Sequence, residues 1–149
     1  MTVSTGPRVL TIGYERSTQD AVIARLAAAG AEQVIDVRAV AASRRAGFSK
    51  TRLAAGLAEA GIGYLHLRAL GTPKSGREAA RKGRIEEMRA IFAEHLATAE
   101  AVDALARLEA EVLRMRSALL CFEAEAVGCH RRVLAERLMA RLGAVVEDL

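Results

Sequence analysis

The sequence has two cysteines, and the second opens the triplet Cys129-His130-Arg131. A helix start carries partial positive charge and unpaired amides, so it favours an anion and lowers the pKa of a thiol placed there. Cys129 is therefore a candidate nucleophile or thiolate, and Arg131 a candidate anion ligand. Glu123, two residues beyond Cys121, is a candidate general base, with His130 as a second acid/base candidate. Asp36 and Arg38 flank Val37. In a strand they point to one face and can hold an ion pair or a ligand together. Ser43, Arg44 and Arg45 follow in a loop of small and basic residues, and Gly13 and Tyr14 end the first apolar run; Gly13, Tyr14, Ser43 and Arg44 join Asp36, Arg38 and Arg131 as candidate ligand-binding residues. A guanidinium matches two coplanar oxyanion oxygens, so Arg38, Arg44 and Arg131 would grip a phosphate by forked hydrogen bonds.

Several narrower chemistries fit poorly. The cysteine phosphatase loop needs Arg six positions after its Cys, and that position holds Ala135. The separation of Cys121 and Cys129 is too wide for the tight C-x-x-C hairpin of structural zinc sites, and no metal and no cofactor are expected. A strand-end ligand and a helix-start ligand can nevertheless meet in space. His66 could shuttle protons, although a single His at a strand end is more often simply hydrogen-bonded. Arg77, Arg81, Lys82 and Arg84 read as a solvated face, or else as a patch for phosphate backbone. Tyr14 and Phe48 read as packing residues rather than base-stacking ones.

The elements that must carry these groups alternate. Arg8 to Ile12 reads as a buried strand ending at Gly13, followed by a helix capped by Ser17 and stopped by Gly30. Val34 to Val37 is a second strand, Ser49 caps a helix that ends at Gly61, and Ile62 to Leu67 is a third strand. The basic, Gly/Pro-punctuated stretch from Arg68 to Gly83 suggests a functional loop or short helix. Helices follow over about 84–96 and 99–115, the second with a stripe of Val102, Leu105, Leu108 and Val112. Ala118 to Phe122 is a strand buried on both faces. A last helix runs from about Cys129 to Leu142, and Val145-Val146 starts a fifth strand. This order predicts one α/β domain over residues 1–149, with an ordered core of about 8–147. Its mainly parallel sheet of about five strands is flanked by helices. In such sheets ligands bind beyond the carboxyl ends of the strands, where nearly all the distinctive polar residues fall.

Composition narrows the field. With 149 residues, 52% hydrophobic and 27% charged, the chain is not a disordered one. Aromatics are only 3% and Trp is absent, which disfavours a nucleic-acid binder built on stacking platforms. The net charge of +4 suits an anionic ligand without demanding one. Met1 to Pro7 shows no apolar leader and no run is long enough to span a membrane, so the expected location is cytoplasmic, with no membrane partner.

The residues Thr11 to Glu15 (T-I-G-Y-E), Asp36 to Arg38 (D-V-R), Ser43 to Lys50 (S-R-R-A-G-F-S-K), Leu70 to Lys74 (L-G-T-P-K), Leu120 to Glu123 (L-C-F-E) and Cys129 to Arg131 (C-H-R) form an ordered set. In order and spacing the chain resembles the bacterial and archaeal family known as domain of unknown function 488, over about Val9 to Val146. The resemblance implies a compact α/β fold and no assigned reaction. It carries motif positions onto Gly13, Asp36, Arg38, Ser43, Arg44, Cys121, Glu123, Cys129, His130 and Arg131. The family often has Pro where this chain has Ala41, and Gly where it has Arg16.

Together these features point to a small enzyme acting on a phosphate-bearing or nucleotide-like ligand, with an Arg/Cys/Glu site. A nucleic-acid binding module is a weaker reading. A non-catalytic structural or interaction protein with a closed ion-pair network is the third.

Overall fold

Alternating side chains along three strands explain how the core divides. In the computed structural model, which describes residues 6–149, Leu10, Ile12, Val34, Ala118 and Leu120 are buried on one side of a sheet. Val9, Ile35, Val37, Leu119 and Cys121 are buried on the other. This is the two-residue period of strands covered on both faces. The strands are β1 (Arg8–Gly13), β2 (Gln33–Asp36), β3 (Gly63–His66), β4 (Ser117–Cys121) and β5 (Val145–Asp148). They form one five-stranded sheet in the order β3-β2-β4-β1-β5, and every pairing is parallel.

Six helices cover the sheet: α1 (Gln19–Ala28), α2 (Lys50–Glu59), α3 (Lys74–Arg81), α4 (Ile85–Leu96), α5 (Ala99–Arg114) and α6 (His130–Leu142). Val22 and Leu26 of α1 and Leu53 and Leu57 of α2 pack with the Leu10/Ile12 side. Met88 and Phe92 of α4, Leu105 and Leu108 of α5, and Leu134 and Leu138 of α6 pack with the other. The result is the single α/β domain with a parallel sheet and flanking helices that the alternation of apolar runs predicts. Among the described residues no helix is long and apolar enough to cross a membrane. The Met1 to Pro7 segment, read as lacking a leader, lies mostly outside them.

Local corrections have plain causes. Thr18, not Ser17, caps α1, its hydroxyl accepting from the Ala21 amide at 3.1 Å; Ser17 instead accepts from Arg25. Ser49 precedes α2 but its hydroxyl makes no cap bond, because it donates to the Ser43 carbonyl and accepts from the Ser43 amide. Val102 is exposed, and Ala101 takes the inward place in α5. The fourth strand stops at Cys121, leaving Phe122 partly exposed. The Arg68 to Gly83 stretch folds as one 3-10 turn (Arg68–Leu70) followed by α3.

Candidate functional site

The strand order brings the motif-bearing ends together. β4 lies between β2 and β1, with Gly13 in register with Cys121 and Asp36 with Leu120. Beyond the paired segments, the Tyr14 and Glu15 amides donate to the Cys121 and Phe122 carbonyls, and the Val37 amide donates to the Leu120 carbonyl. Gly13 has a steric role: a Cβ there would lie 1.6 Å from the Glu123 carbonyl oxygen. Only a residue without a side chain lets the chain after β4 cross this strand end.

Asp36 and Arg38 share one face, as their spacing predicts, and form a buried ion pair. Arg38 Nε donates to Asp36 Oδ1 at 2.9 Å and Nη2 to Oδ2 at 2.7 Å. Nη1 donates to the Tyr14 hydroxyl and to the Phe48 carbonyl. Tyr14 stacks on Phe48 with ring centroids 4.3 Å apart and meets Phe122 edge-on, so it packs as its reading suggests. The Tyr64 hydroxyl also donates to Asp36, and burial together with that bond pushes the phenol well above its ordinary pKa.

Cys121, Cys129 and His130 meet from the opposite side of the sheet. Cys121 ends β4, Cys129 occupies the position before α6, and His130 opens that helix. His130 Nδ1 lies 3.5 Å from Cys121 Sγ and 3.6 Å from Cys129 Sγ. Its Nε2 lies 2.7 Å from the Val37 carbonyl, which ties the start of α6 to the end of β2. The Cys121 thiol donates to Glu123 Oε2 at 3.3 Å. Two buried thiols this close lose their protons in separate steps. The hydrogen bond to Cys129, burial, and the charges of Cys129 and Glu123 push the Cys121 thiol up. Burial opposes a charge on Cys129, but the Cys121 hydrogen bond, the imidazole and Arg131 outweigh it and hold that thiol down. Burial, then the negative charge on Cys129, pushes the Glu123 carboxyl up. Burial works against the imidazolium, yet Cys129 and the Val37 carbonyl raise His130. The donor atoms of Cys121, Cys129 and His130 all lie within 4.8 Å of one another, close enough to share a metal ion.

A cavity of about 500 Å³ opens onto this edge, lined among others by Tyr14, Glu15, Arg38, Val40, Thr72, Arg77, Arg81, Cys121, Phe122, Glu123 and His130. Cys129 does not line it and is 1% exposed; of the two cysteines, Cys121 is the one that lines the cavity. Arg131 does not line it either. It is fully buried, and its guanidinium donates to the Glu123 carbonyl at 2.5 Å and to the Ala124 carbonyl at 3.2 Å. Arg131 thus braces the chain after β4. Arg44 is exposed outside the cavity, and Ser43 is held within its own loop by Ser49 and Arg45. His66 bonds to the Arg38 carbonyl at 2.8 Å.

Of the four cations read as a solvated face or else a phosphate-backbone patch, Arg77 and Arg81 lie beside the cavity, whereas Lys82 and Arg84 do not line it. Arg77 and Arg81 lie one turn apart on α3 and both line it. Arg77 donates to the Thr72 carbonyl at 2.8 Å, and among the described residues no acidic side chain pairs with either arginine. The L-G-T-P-K segment puts them there: a Cβ at Gly71 would lie 2.2 Å from Ala39 Cα, so the bare backbone docks against the end of β2. A second cavity of about 540 Å³ shares Ala39, Val40, Thr72 and Arg77 with the first and adds Arg68 and Lys74. The signal available in the sequence is the Gly71-Thr72-Pro73 break directly before the helix that carries this basic run.

No curated protein and no solved structure matches the chain. The model of one family, the domain of unknown function DUF488, matches residues 18–138, which reach from the cap of α1 nearly to the end of α6 and include β2, β3, β4 and both cysteines. The chain therefore belongs to the DUF488 family, whose members carry no assigned reaction.

Proposed function

We propose that the protein is an enzyme acting on a small phosphate-bearing or nucleotide-like ligand held in the cavity at the carboxyl edge of the sheet. The observation that carries this reading is that the cavity combines two arginines without acidic partners, Arg77 and Arg81, with a wall of Cys121, Glu123 and His130. Arg38 is already neutralised by Asp36, so the anion falls to α3, whose guanidinium forks suit phosphate oxygens. The half-exposed Val40 and Phe122 give the same cavity an apolar rim that suits the base or sugar of a nucleotide. Glu123 supplies a carboxyl for proton transfer beside Cys121, and His130 is fixed in orientation through Val37.

The test is thermal shift and calorimetry with phosphate, pyrophosphate and mononucleotides on the parent, Arg77→Ala, Arg81→Ala and the double variant. Arg137→Ala, on the exposed side of α6, is the control. The parent and the control should be stabilised by at least one of these anions, and the double variant should lose the response. A parent indifferent to all of them at millimolar concentration, or a response that survives the double substitution, overturns the reading.

A further inference from the structure

We propose that Cys121, Cys129 and His130 form a zinc site whose fourth position faces the cavity. Sulfur and imidazole donors are the ligands that a borderline-soft ion prefers. The folded chain supplies the closeness that the sequence separation of the two cysteines lacks, because the strand end and the helix start meet. Zinc bonds of about 2.3 Å to sulfur and 2.0–2.1 Å to nitrogen, spread at a tetrahedral angle, put ligand sulfur and nitrogen about 3.5–3.6 Å apart. The two Sγ to Nδ1 separations are 3.5 and 3.6 Å.

The surroundings of the imidazole point the same way. The Val37 oxygen can only accept, so Nε2 carries a proton and donates at 2.7 Å. In the neutral ring that leaves the Nδ1 lone pair directed at the two sulfurs. A ligating histidine typically has this second bond, which fixes its tautomer and orientation. Phe92 meets the ring at 88° with centroids 5.2 Å apart and holds it further. Three protein ligands with a fourth place open to a cavity are the arrangement of a zinc ion that does chemistry, whereas a structural zinc is closed by four. Glu123 lines the same cavity, with Oε2 3.3 Å from Cys121 Sγ, and would be the carboxyl that takes a proton from a water bound there.

This inference does not rest on the anion reading. Its test uses the full chain, purified under reducing conditions, stripped with a chelator and titrated with zinc and with cobalt(II). Zinc should bind one ion per chain and should protect both thiols from a disulfide reagent. Cobalt should give the visible bands of a tetrahedral ion together with thiolate-to-cobalt charge transfer. Cys129→Ser and His130→Asn, checked for folding by circular dichroism, should weaken or lose the charge-transfer band, whereas Arg77→Ala should keep it. A parent that binds no cobalt, or binds it without the thiolate band, overturns the site whether or not the variants fold. Metal uptake without an anion response, or the reverse, separates failure of one proposal from failure of the other.

Discussion

Asp36 and Arg38, two residues apart at the end of β2, close a two-point ion pair on themselves, and both side chains are almost wholly buried. The pair anchors more than itself. Arg38 also holds Tyr14 and the Phe48 carbonyl, so the ends of β1 and β2 and the loop before α2 meet at one guanidinium. The D-V-R motif is thus scaffolding for the cavity edge, with its charge already matched.

Removing one member of a buried pair leaves the other charge uncompensated. Arg38→Met should therefore destabilise the fold by about 3–5 kcal/mol, the range for such pairs. Replacing both residues, as in Asp36→Leu with Arg38→Met, should recover much of that loss. Urea denaturation of the three proteins measures both effects; a loss below about 1 kcal/mol in the single variant contradicts the assignment.

Gly13→Ala tests the close crossing over β1. The added methyl would collide with backbone at Glu123, which no rotamer change can relieve. A cost of roughly 3 kcal/mol or more is expected, at the upper end for overpacking. Ala at Gly61, where a Cβ meets nothing within 4 Å but φ is +75°, should show only the smaller penalty of backbone strain. Equal losses at the two positions in thermal unfolding would remove the steric argument.

Arg131→Lys separates bracing from ligand binding. One ammonium cannot reproduce a guanidinium that reaches two carbonyls. The amides of residues 124–128 should exchange faster with deuterium, and stability should fall by about 1–3 kcal/mol, the cost of buried groups left unpaired. The thermal response to phosphate should persist, because Arg131 is not among the residues lining the cavity. A variant that folds with unchanged exchange but loses that response would return Arg131 to the anion site.

Acid stability should depend on Glu111. Hydrogen bonds from Gln33 and Arg114 outweigh burial and, with Arg107, hold its carboxyl down at about 2. An unfolded chain titrates this group near 4.3, so its contribution is complete above that value and fades as pH falls toward about 2. Glu111→Gln should cost about 1–2 kcal/mol at pH 7, less than the shift alone implies, because Arg107 and Arg114 are solvent-exposed. It should also flatten the stability profile between pH 5 and 2, read by urea unfolding across that range.

Periodicity and turn chemistry made the architecture legible. The short apolar run Ala118 to Phe122 reads as a strand covered on both faces, which holds as far as Cys121, and Gly30, Gly61 and Gly143 take the positive φ that ends their helices. The gathering of Cys121, Glu123 and His130 at the strand ends followed from the parallel sheet. The aim of individual cations did not. Arg131 and Arg132 are neighbours, yet the rotation of about 100° from one helical residue to the next buries the first and leaves the second half-exposed. Arg77 and Arg81 reach the cavity only because Gly71 docks on Ala39, a contact between segments that local pattern does not encode. The strand order likewise depends on pairings between distant segments, such as Val9 with Ser117.

The central place of β4 has a consequence for how the chain acquires its shape. During synthesis β1 and β2 emerge first; β2 can pair with β3 once residue 66 is made, but β1 finds its first neighbour, and β2 its second, only when β4 arrives, near residue 117. Closing so long a loop before any reward makes this a late and slow step, and the early segments wait with unpaired edges. The same strand carries Cys121 and is followed at once by Cys129 and His130. Sheet closure and assembly of the sulfur–imidazole cluster are therefore one event, and a nascent chain that has not yet closed has no assembled centre to misreact.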